Sequence, residues 1–496
     1  MRLWRGLRIA LLALLALLAL PSSQPRAQTP AAPPQLTPCR LSGLSHEALC
    51  GTVRRPLDPT QPAARQIEVH FAVLPALARN KLPDPIFFFA GGPGQSAMEL
   101  AGAVSGLFAR ASNRRDIVLI DQRGVGRSAP LRCAEDTPTR PLAESLDAAR
   151  QLALITACRD ALMKLPYGDL RQFTTSIAMQ DAEAVRVALG VAQVNVVGGS
   201  YGTRAVLEYM RQFPRSVRRA VIDGVAPPDM VLPAAFSRDN QSALDAVFAA
   251  CDGDAQCRER YPALRARWQA MLTSLPRRVT LTHPVTGREE SVLLMRDGVL
   301  NMVRQPLYAP ALASALPLAV TEAAQGRFAA LMGLGLSLNS GRRGKDLAQG
   351  MHYSVVCAED APRMDASSDK PGADFGVDFA EFYRKVCADW PRGAVPEAFY
   401  AVAQTNSPTL VLSGGIDPVT PPRHGQRVAE ALGAKARHIV VSEAGHGVMS
   451  IGCMRDVMFR FIDAPDDDAA ARVDASCAQR MPRPPAYRAA RAEAAR

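Results

Sequence analysis

Residues 196–206 read VVGGSYGTRAV. An apolar run ends in Gly198 and Gly199; Ser200, Tyr201 and Gly202 follow, and then helix-forming residues. Glycine has no Cβ, so it tolerates sharp turns and lets neighbouring backbones approach closely. The spacing G-x-S-x-G is weak by itself, because glycine is common. Its setting strengthens it. A strand before and a helix after make a nucleophile elbow, which lifts a serine hydroxyl above the edge of a sheet. The helix N-terminus behind it supplies free N–H groups and positive potential. The competing reading is a phosphate or dinucleotide loop. However, G-x-x-x-x-G-K-[ST] does not occur, and no G-x-G-x-x-G opens this helix.

Outward from the elbow, strand and helix patterns alternate. QIEVHFAVLPA (66–76) alternates apolar and polar residues as a half-buried strand does. PIFFFAGGPG (85–94) and DIVLIDQRGVGRS (116–128) read as buried strands running into loops. A helical pattern covers 176–190, a strand 194–200, a helix 201–214 and a strand 217–225. Such alternation predicts a mostly parallel sheet with helices on both faces. From Pro227 to Pro408 the pattern becomes mainly helical, with a hairpin at 277–294. A strand and loop at 409–422, a helix at 424–433, a strand and loop at 436–447 and a helix at 449–462 then resume the alternation. The expected organisation is an α/β core over 39–226 and 409–477, interrupted by a helical cap over 227–408.

The N-terminus opens with Arg2, Arg5 and Arg8 and continues into an apolar stretch from Ile9 to Leu20. A membrane span needs about 20 apolar residues, so residues 1–27 read as a cleavable signal peptide, with cleavage after Ala27. No cysteine directly follows the apolar run, which argues against a lipid anchor. The expected location is therefore exported, periplasmic or extracellular, with no membrane anchor after cleavage. Residues 28–38 form a proline-rich linker and 478–496 a basic tail. Removing Arg2, Arg5, Arg8 and Arg26 lowers the formal net charge from +11 to +7. The tail reads as a solvated terminus, and no nucleic-acid module occurs elsewhere.

Ten cysteines in an exported chain suggest disulfides. Taken in order they give five local pairs: Cys39–Cys50, Cys133–Cys158, Cys251–Cys257, Cys357–Cys387 and Cys453–Cys477. Sequence alone leaves the connectivity open. Neither C-x-x-C nor H-E-x-x-H occurs, so no metal site is expected.

Serine is a poor nucleophile until a base takes its proton. Of the seven histidines, His446 alone stands in a short loop after a late strand, between Gly445 and Gly447. Asp417, in SGGIDPVTPP, follows the preceding strand and can orient that base. The order Ser, Asp, His suits this architecture. An oxyanion needs two preorganised donors. The N–H of Tyr201 is one. The AGGPG loop (90–94) offers Gly91, Gly92 or Gly94 as the other, with Gly92 the expected donor.

FAGGPGQSA, DQRGVGRSAPLRC, GGSYGTRAVLEYMRQFP, VIDGVAPP, LSGGIDPVTPP and AGHG occur in this order between Phe87 and Cys453. Together they resemble the α/β-hydrolase serine aminopeptidases, the group of proline iminopeptidases and tripeptidyl aminopeptidases, in its exported branch. The resemblance implies the α/β-hydrolase fold, a Ser200–Asp417–His446 triad, a GGPG oxyanion loop, a cap over the site and no cofactor. It also implies peptide substrates with a free N-terminus. Asp121 and Arg123 match the D-Q-R-G stretch and read as structural. Relatives often carry histidine before GGPG; Ala90 stands there in this chain, which weakens any transfer of specificity for imino-terminal substrates. An exopeptidase needs a carboxylate to meet the substrate's ammonium. Glu359 and Asp360 in SVVCAEDAP are the candidates. Two rivals share these features, an esterase with the same triad and a binding protein on the same fold without catalysis.

Overall fold

Nine strands form one sheet in the computed structural model, which describes residues 35–488 except 135, 136, 138 and 338–346. The signal peptide, most of the linker and the end of the basic tail lie outside the described residues. The strands are β1 (Thr37–Cys39), β2 (Ala48–Pro56), β3 (Gln66–Leu74), β4 (Ile86–Phe89), β5 (Ile117–Ile120), β6 (Val194–Gly199) and β7 (Val217–Asp223). A separate hairpin, β8 (Arg277–Thr282) and β9 (Glu289–Leu294), stands apart; β10 (Thr409–Gly414) and β11 (Ala436–Val441) complete the sheet. Its order is β1-β2-β3-β5-β4-β6-β7-β10-β11. Pairing is antiparallel from β1 to β5 and parallel from β5 to β11.

Every residue of β4 and β5 is buried. A parallel sheet covered on both faces demands such unbroken apolar runs. The helices that cover it include α1 (Thr175–Ala188), α2 (Tyr201–Gln212), α8 (Pro422–Leu432) and α9 (Met454–Asp463). Between β7 and β10 lie α3 (Leu232–Gly253), the hairpin, α4 (Arg296–Leu307), α5 (Leu316–Ala324), α6 (Gln349–Glu359) and α7 (Asp378–Ala388). The chain returns from this excursion to the neighbouring strand, with Thr409–Leu412 paired to Ala220–Asp223. The sheet is thus continuous across the insertion.

Two details differ from the sequence reading. The linker ends earlier, because Thr37–Cys39 is already a strand paired with β2. The insertion is not one body. Its first part has its own core around Leu244, Phe248, Trp268, Val299 and Val320, joined by Leu142 from before the elbow. Its later part belongs to the main core instead, because Met351, Val355, Cys357 and Trp390 pack with β4 and β6 residues.

Arg123, completely buried, donates to Asp181 through Nε (2.7 Å) and Nη2 (2.9 Å), and to three backbone carbonyls. The structure joins cysteines 39–50, 133–158, 251–257, 357–387 and 453–477. Five disulfides point to an oxidising compartment. Among the described residues no helix is long and apolar enough to cross a membrane.

Candidate active site

The ends of β4, β6, β10 and β11 are the C-terminal ends of parallel strands, so their loops gather at one edge of the sheet. Ser200 follows β6 with φ +57° and ψ −127°. That backbone is unusual for a residue with a Cβ and costs about 1–3 kcal/mol. Two glycines make it possible. A Cβ on Gly198 would lie 2.2 Å from Gly202 O, and one on Gly202 would lie 2.2 Å from Phe89 O. The elbow is tied to β7 by Ser200 N–H donating to Asp223 O (2.9 Å). Its carbonyl accepts from Thr203 Oγ1 (2.6 Å).

His446 follows β11. Its Nδ1 lies 2.8 Å from Asp417 Oδ2 and 3.0 Å from Thr420 Oγ1. An ionised carboxylate only accepts, so Nδ1 carries the proton and Nε2 faces away with its lone pair. Asp417 is fully enclosed and also accepts from Val419 N, Thr420 N and Thr420 Oγ1. Burial pushes its pKa up, but the His446 charge and these hydrogen bonds outweigh that and hold it below the ordinary value. For His446, burial favours the neutral ring. The Asp417 carboxylate, by charge and hydrogen bond, and Asp223 outweigh it, and the pKa rises above the ordinary 6.5. A Cβ on Gly224 would come within 3.1 Å of the imidazole, so this glycine leaves the ring its place.

Asp223 supports the same loop. Its Oδ2 accepts from Val448 N and Met449 N, both 2.7 Å, and burial raises its pKa to about 6. Neither Asp223 nor Thr420 was singled out from sequence, although both stand in stretches that carried the resemblance. Their work is to hold other residues, which leaves no signature of its own. The Ser200 hydroxyl and His446 Nε2 have no hydrogen-bond partner among the described residues; both are half-buried at the site.

The GGPG loop follows β4, beside β6. A Cβ on Gly91 would lie 3.2 Å from Ser200 Cβ, so this loop touches the elbow. Gly92 has φ +112°, where glycine is favoured, and its N–H donates to no backbone oxygen among the described residues. Tyr201 is the first residue of α2, so its N–H has no intrahelical acceptor.

Family models match two parts of the chain, "alpha/beta hydrolase fold" over residues 84–304 and "TAP-like protein" over 373–477. Serine protease Hip1 of Mycobacterium tuberculosis is 25% identical over 468 residues, covering 87% of this chain and 89% of that protein. Tripeptidyl aminopeptidase of Streptomyces lividans is 30% identical over 190 residues, 36% of this chain and 35% of that one. Proline iminopeptidase of Neisseria meningitidis is 31% identical over 141 residues, 28% and 32% of the two chains. The chain is similar over these parts to the peptidase group of the α/β hydrolases.

This hydrolase surrounds its site with residues from the insertion. Tyr308 packs edge-on to His446, with ring centroids 5.2 Å apart, and its carbonyl accepts from His446 N (2.9 Å). His352 is held neutral by burial, its pKa lowered to about 4. Its Nδ1 lies 3.2 Å from Pro93 O and its Nε2 2.7 Å from the Tyr383 hydroxyl. A carbonyl only accepts, so Nδ1 donates to Pro93 and Nε2 accepts from Tyr383. The GGPG loop is thereby tethered to α7.

The expectation for Glu359 and Asp360 is corrected. Each is only 1% exposed. Arg204 Nη1 lies 3.3 Å from Glu359 and 3.1 Å from Asp360, and Nη2 is 3.1 Å from Asp360. Glu359 also accepts from Thr175 N (2.7 Å), and Asp360 from Leu232 N (3.2 Å). These carboxylates lock α2 of the hydrolase to α6 and are not free to meet a substrate ammonium. Among the described residues no group of three or more His, Cys, Asp or Glu side chains is arranged to hold a metal ion.

Proposed function

We propose that this hydrolase is an exported serine aminopeptidase using Ser200, His446 and Asp417. The observation that carries the reading is the 2.8 Å Asp417–His446 pair beside a serine held at positive φ. His446 Nε2 takes the Ser200 proton as Oγ attacks the scissile carbonyl. Asp417 keeps Nδ1 protonated and stabilises the imidazolium. The N–H groups of Gly92 and Tyr201 receive the oxyanion. His446 then protonates the leaving amine, an acyl-enzyme remains on Ser200, and water, deprotonated by the same base, releases the N-terminal fragment. The relatives named as tripeptidyl aminopeptidase and proline iminopeptidase support action near a free N-terminus. The five disulfides support export.

Turnover of a good peptide substrate is expected to vanish when its N-terminus is acetylated. Equal cleavage of acetylated and free peptides sinks the aminopeptidase reading. A fluorophosphonate is expected to label the wild type and not Ser200→Ala; failure to label folded wild type favours a binding protein. One observation favours a second reading, an acyl hydrolase with the same triad: the two acids expected to receive the ammonium are engaged by Arg204.

A further inference from the structure

Among the described residues of the insertion, Arg304 is a half-buried cation for which the fold supplies no counter-charge. The fully buried arginines Arg123, Arg204 and Arg219 all have partners for their terminal N–H groups, although Nε of Arg204 and Arg219 is unpartnered. Arg123 is held by Asp181, Arg204 by Glu359 and Asp360, and Arg219 by the carbonyls of Phe461, Ile462 and Asp466. Arg304, half-buried near the end of α4, has no carboxylate within ion-pair distance and no hydrogen bond among the described residues. Its Nε is shut off from solvent without a partner. Its guanidinium carbon lies 4.0 Å from the centre of the Phe379 ring. A ring stacked on one face of a guanidinium leaves the in-plane N–H fork open.

The position faces the site. Arg304 stands four residues before Tyr308, and residues so spaced share one side of a helix. Tyr308 packs on His446. Phe379 and Tyr383 lie ring to ring, 5.1 Å apart, and Tyr383 is tethered through His352 to the GGPG loop. Arg304, Tyr308, Phe379, Tyr383, His352 and His446 are all half-buried. Burial lowers the Arg304 pKa, and among the groups acting on it only the Tyr308 and Tyr383 hydroxyls favour the charge; no carboxylate contributes. A desolvated charge without a counter-charge is costly. A substrate that brings one removes that cost.

We infer that Arg304 receives a carboxylate of the substrate beside the triad. The forked N–H donors fit a planar carboxylate through two parallel hydrogen bonds. In a peptide, that group is either an acidic side chain on the acyl side of the scissile bond or the C-terminal carboxylate of a short substrate. The inference rests on the peptidase reading only in naming a peptide as the carrier.

Tripeptidyl fluorogenic amides, with Glu replaced by Gln at one position at a time, test the side-chain source, since their C-terminus is blocked. Short peptides with free or amidated C-termini test the other. One arm is expected to favour the charged member by on the order of tenfold or more in kcat/KM. In Arg304→Gln that ratio is expected to fall to about one, a readout independent of the variant's overall rate. Ratios near one in every arm for wild type, or a preference that survives Arg304→Gln, overturn the inference. Turnover of the neutral amides by wild type, lost in Ser200→Ala, reports separately on the peptidase reading. Titrating Ser200→Ala enzyme with the same pairs tests Arg304 without turnover. Equal binding, or none by either member, overturns it. Arg304→Met is expected to melt no lower than wild type, because it removes an unpaired charge; a lower melting temperature identifies a structural arginine and overturns the assignment.

Discussion

At the scale of single residues, the candidate site combines a strained serine with a histidine whose proton affinity is tuned by its neighbours. The raised His446 pKa gives a direct test. Protonated imidazole cannot accept the serine proton, so kcat/KM falls as pH drops through this pKa. The midpoint of that acid limb is expected above the ordinary value of 6.5. Asp417→Asn removes both the charge and the acceptor that fixes the tautomer. It is expected to lower kcat by about 10³–10⁴-fold and to move the remaining acid limb downward. A limb at or below the ordinary value in wild type, or an unmoved limb in Asp417→Asn, denies His446 the role of base. The placement of Ser200, Asp417 and His446 in loops at one sheet edge was legible in sequence, because each stands in a glycine-marked loop after an apolar strand. Thr420 and Asp223 were not legible, since they act only through hydrogen bonds to other residues. Glu359 and Asp360 misled because their partner, Arg204, lies 155 and 156 positions away.

At the scale of elements, the Arg204–Glu359–Asp360 cluster decides how α2 and α6 lock together. Two carboxylates share one guanidinium, and burial pushes Glu359 up to about 7 despite the arginine. A raised carboxyl holds its proton in the folded state over a range where the unfolded chain has lost it. Stability attached to Glu359 is therefore present at low pH and lost as pH rises from about 4.5 toward 7. Glu359→Gln cannot titrate, so its urea midpoint is expected to depend less on pH between 5 and 8 and to exceed wild type at the upper end. Arg204→Met leaves two acids buried without a counter-charge and is expected to cost about 3–5 kcal/mol. Matching pH slopes for wild type and Glu359→Gln refute this account. The strands and helices that place the site were readable from their periodicity. The antiparallel β1–β2 hairpin was not, because β2 mixes Thr52, Arg54 and Arg55 with few apolar residues. Nor did periodicity show that α6 leaves the insertion's own core for the main one, because an apolar helix face does not say which core it will join.

At the scale of the whole molecule, five disulfides tie local segments, but not all of them bear on the site. Cys357–Cys387 links α6 to α7, the helices that carry His352 and Tyr383. Cys453–Cys477 links the start of α9 to the C-terminal segment, away from those residues. The loops they close are similar, with sequence separations of 30 and 24 residues. Chain-entropy reasoning gives each about 3–4 kcal/mol, so replacing either pair with serine is expected to lower the melting temperature by a comparable amount. Their effects on the reaction should part. Loosening α6 from α7 frees the His352 bridge between Tyr383 and Pro93, and with it the GGPG loop. The Cys357→Ser/Cys387→Ser enzyme is thus expected to lose kcat well below its melting transition, whereas Cys453→Ser/Cys477→Ser keeps the wild-type kcat at the same temperature. Steady-state rates of both variants at about 20 °C below their own midpoints make the comparison. Equal kcat in the two would mean that the tether from α7 to the GGPG loop holds without its disulfide, and that the cross-links serve only stability.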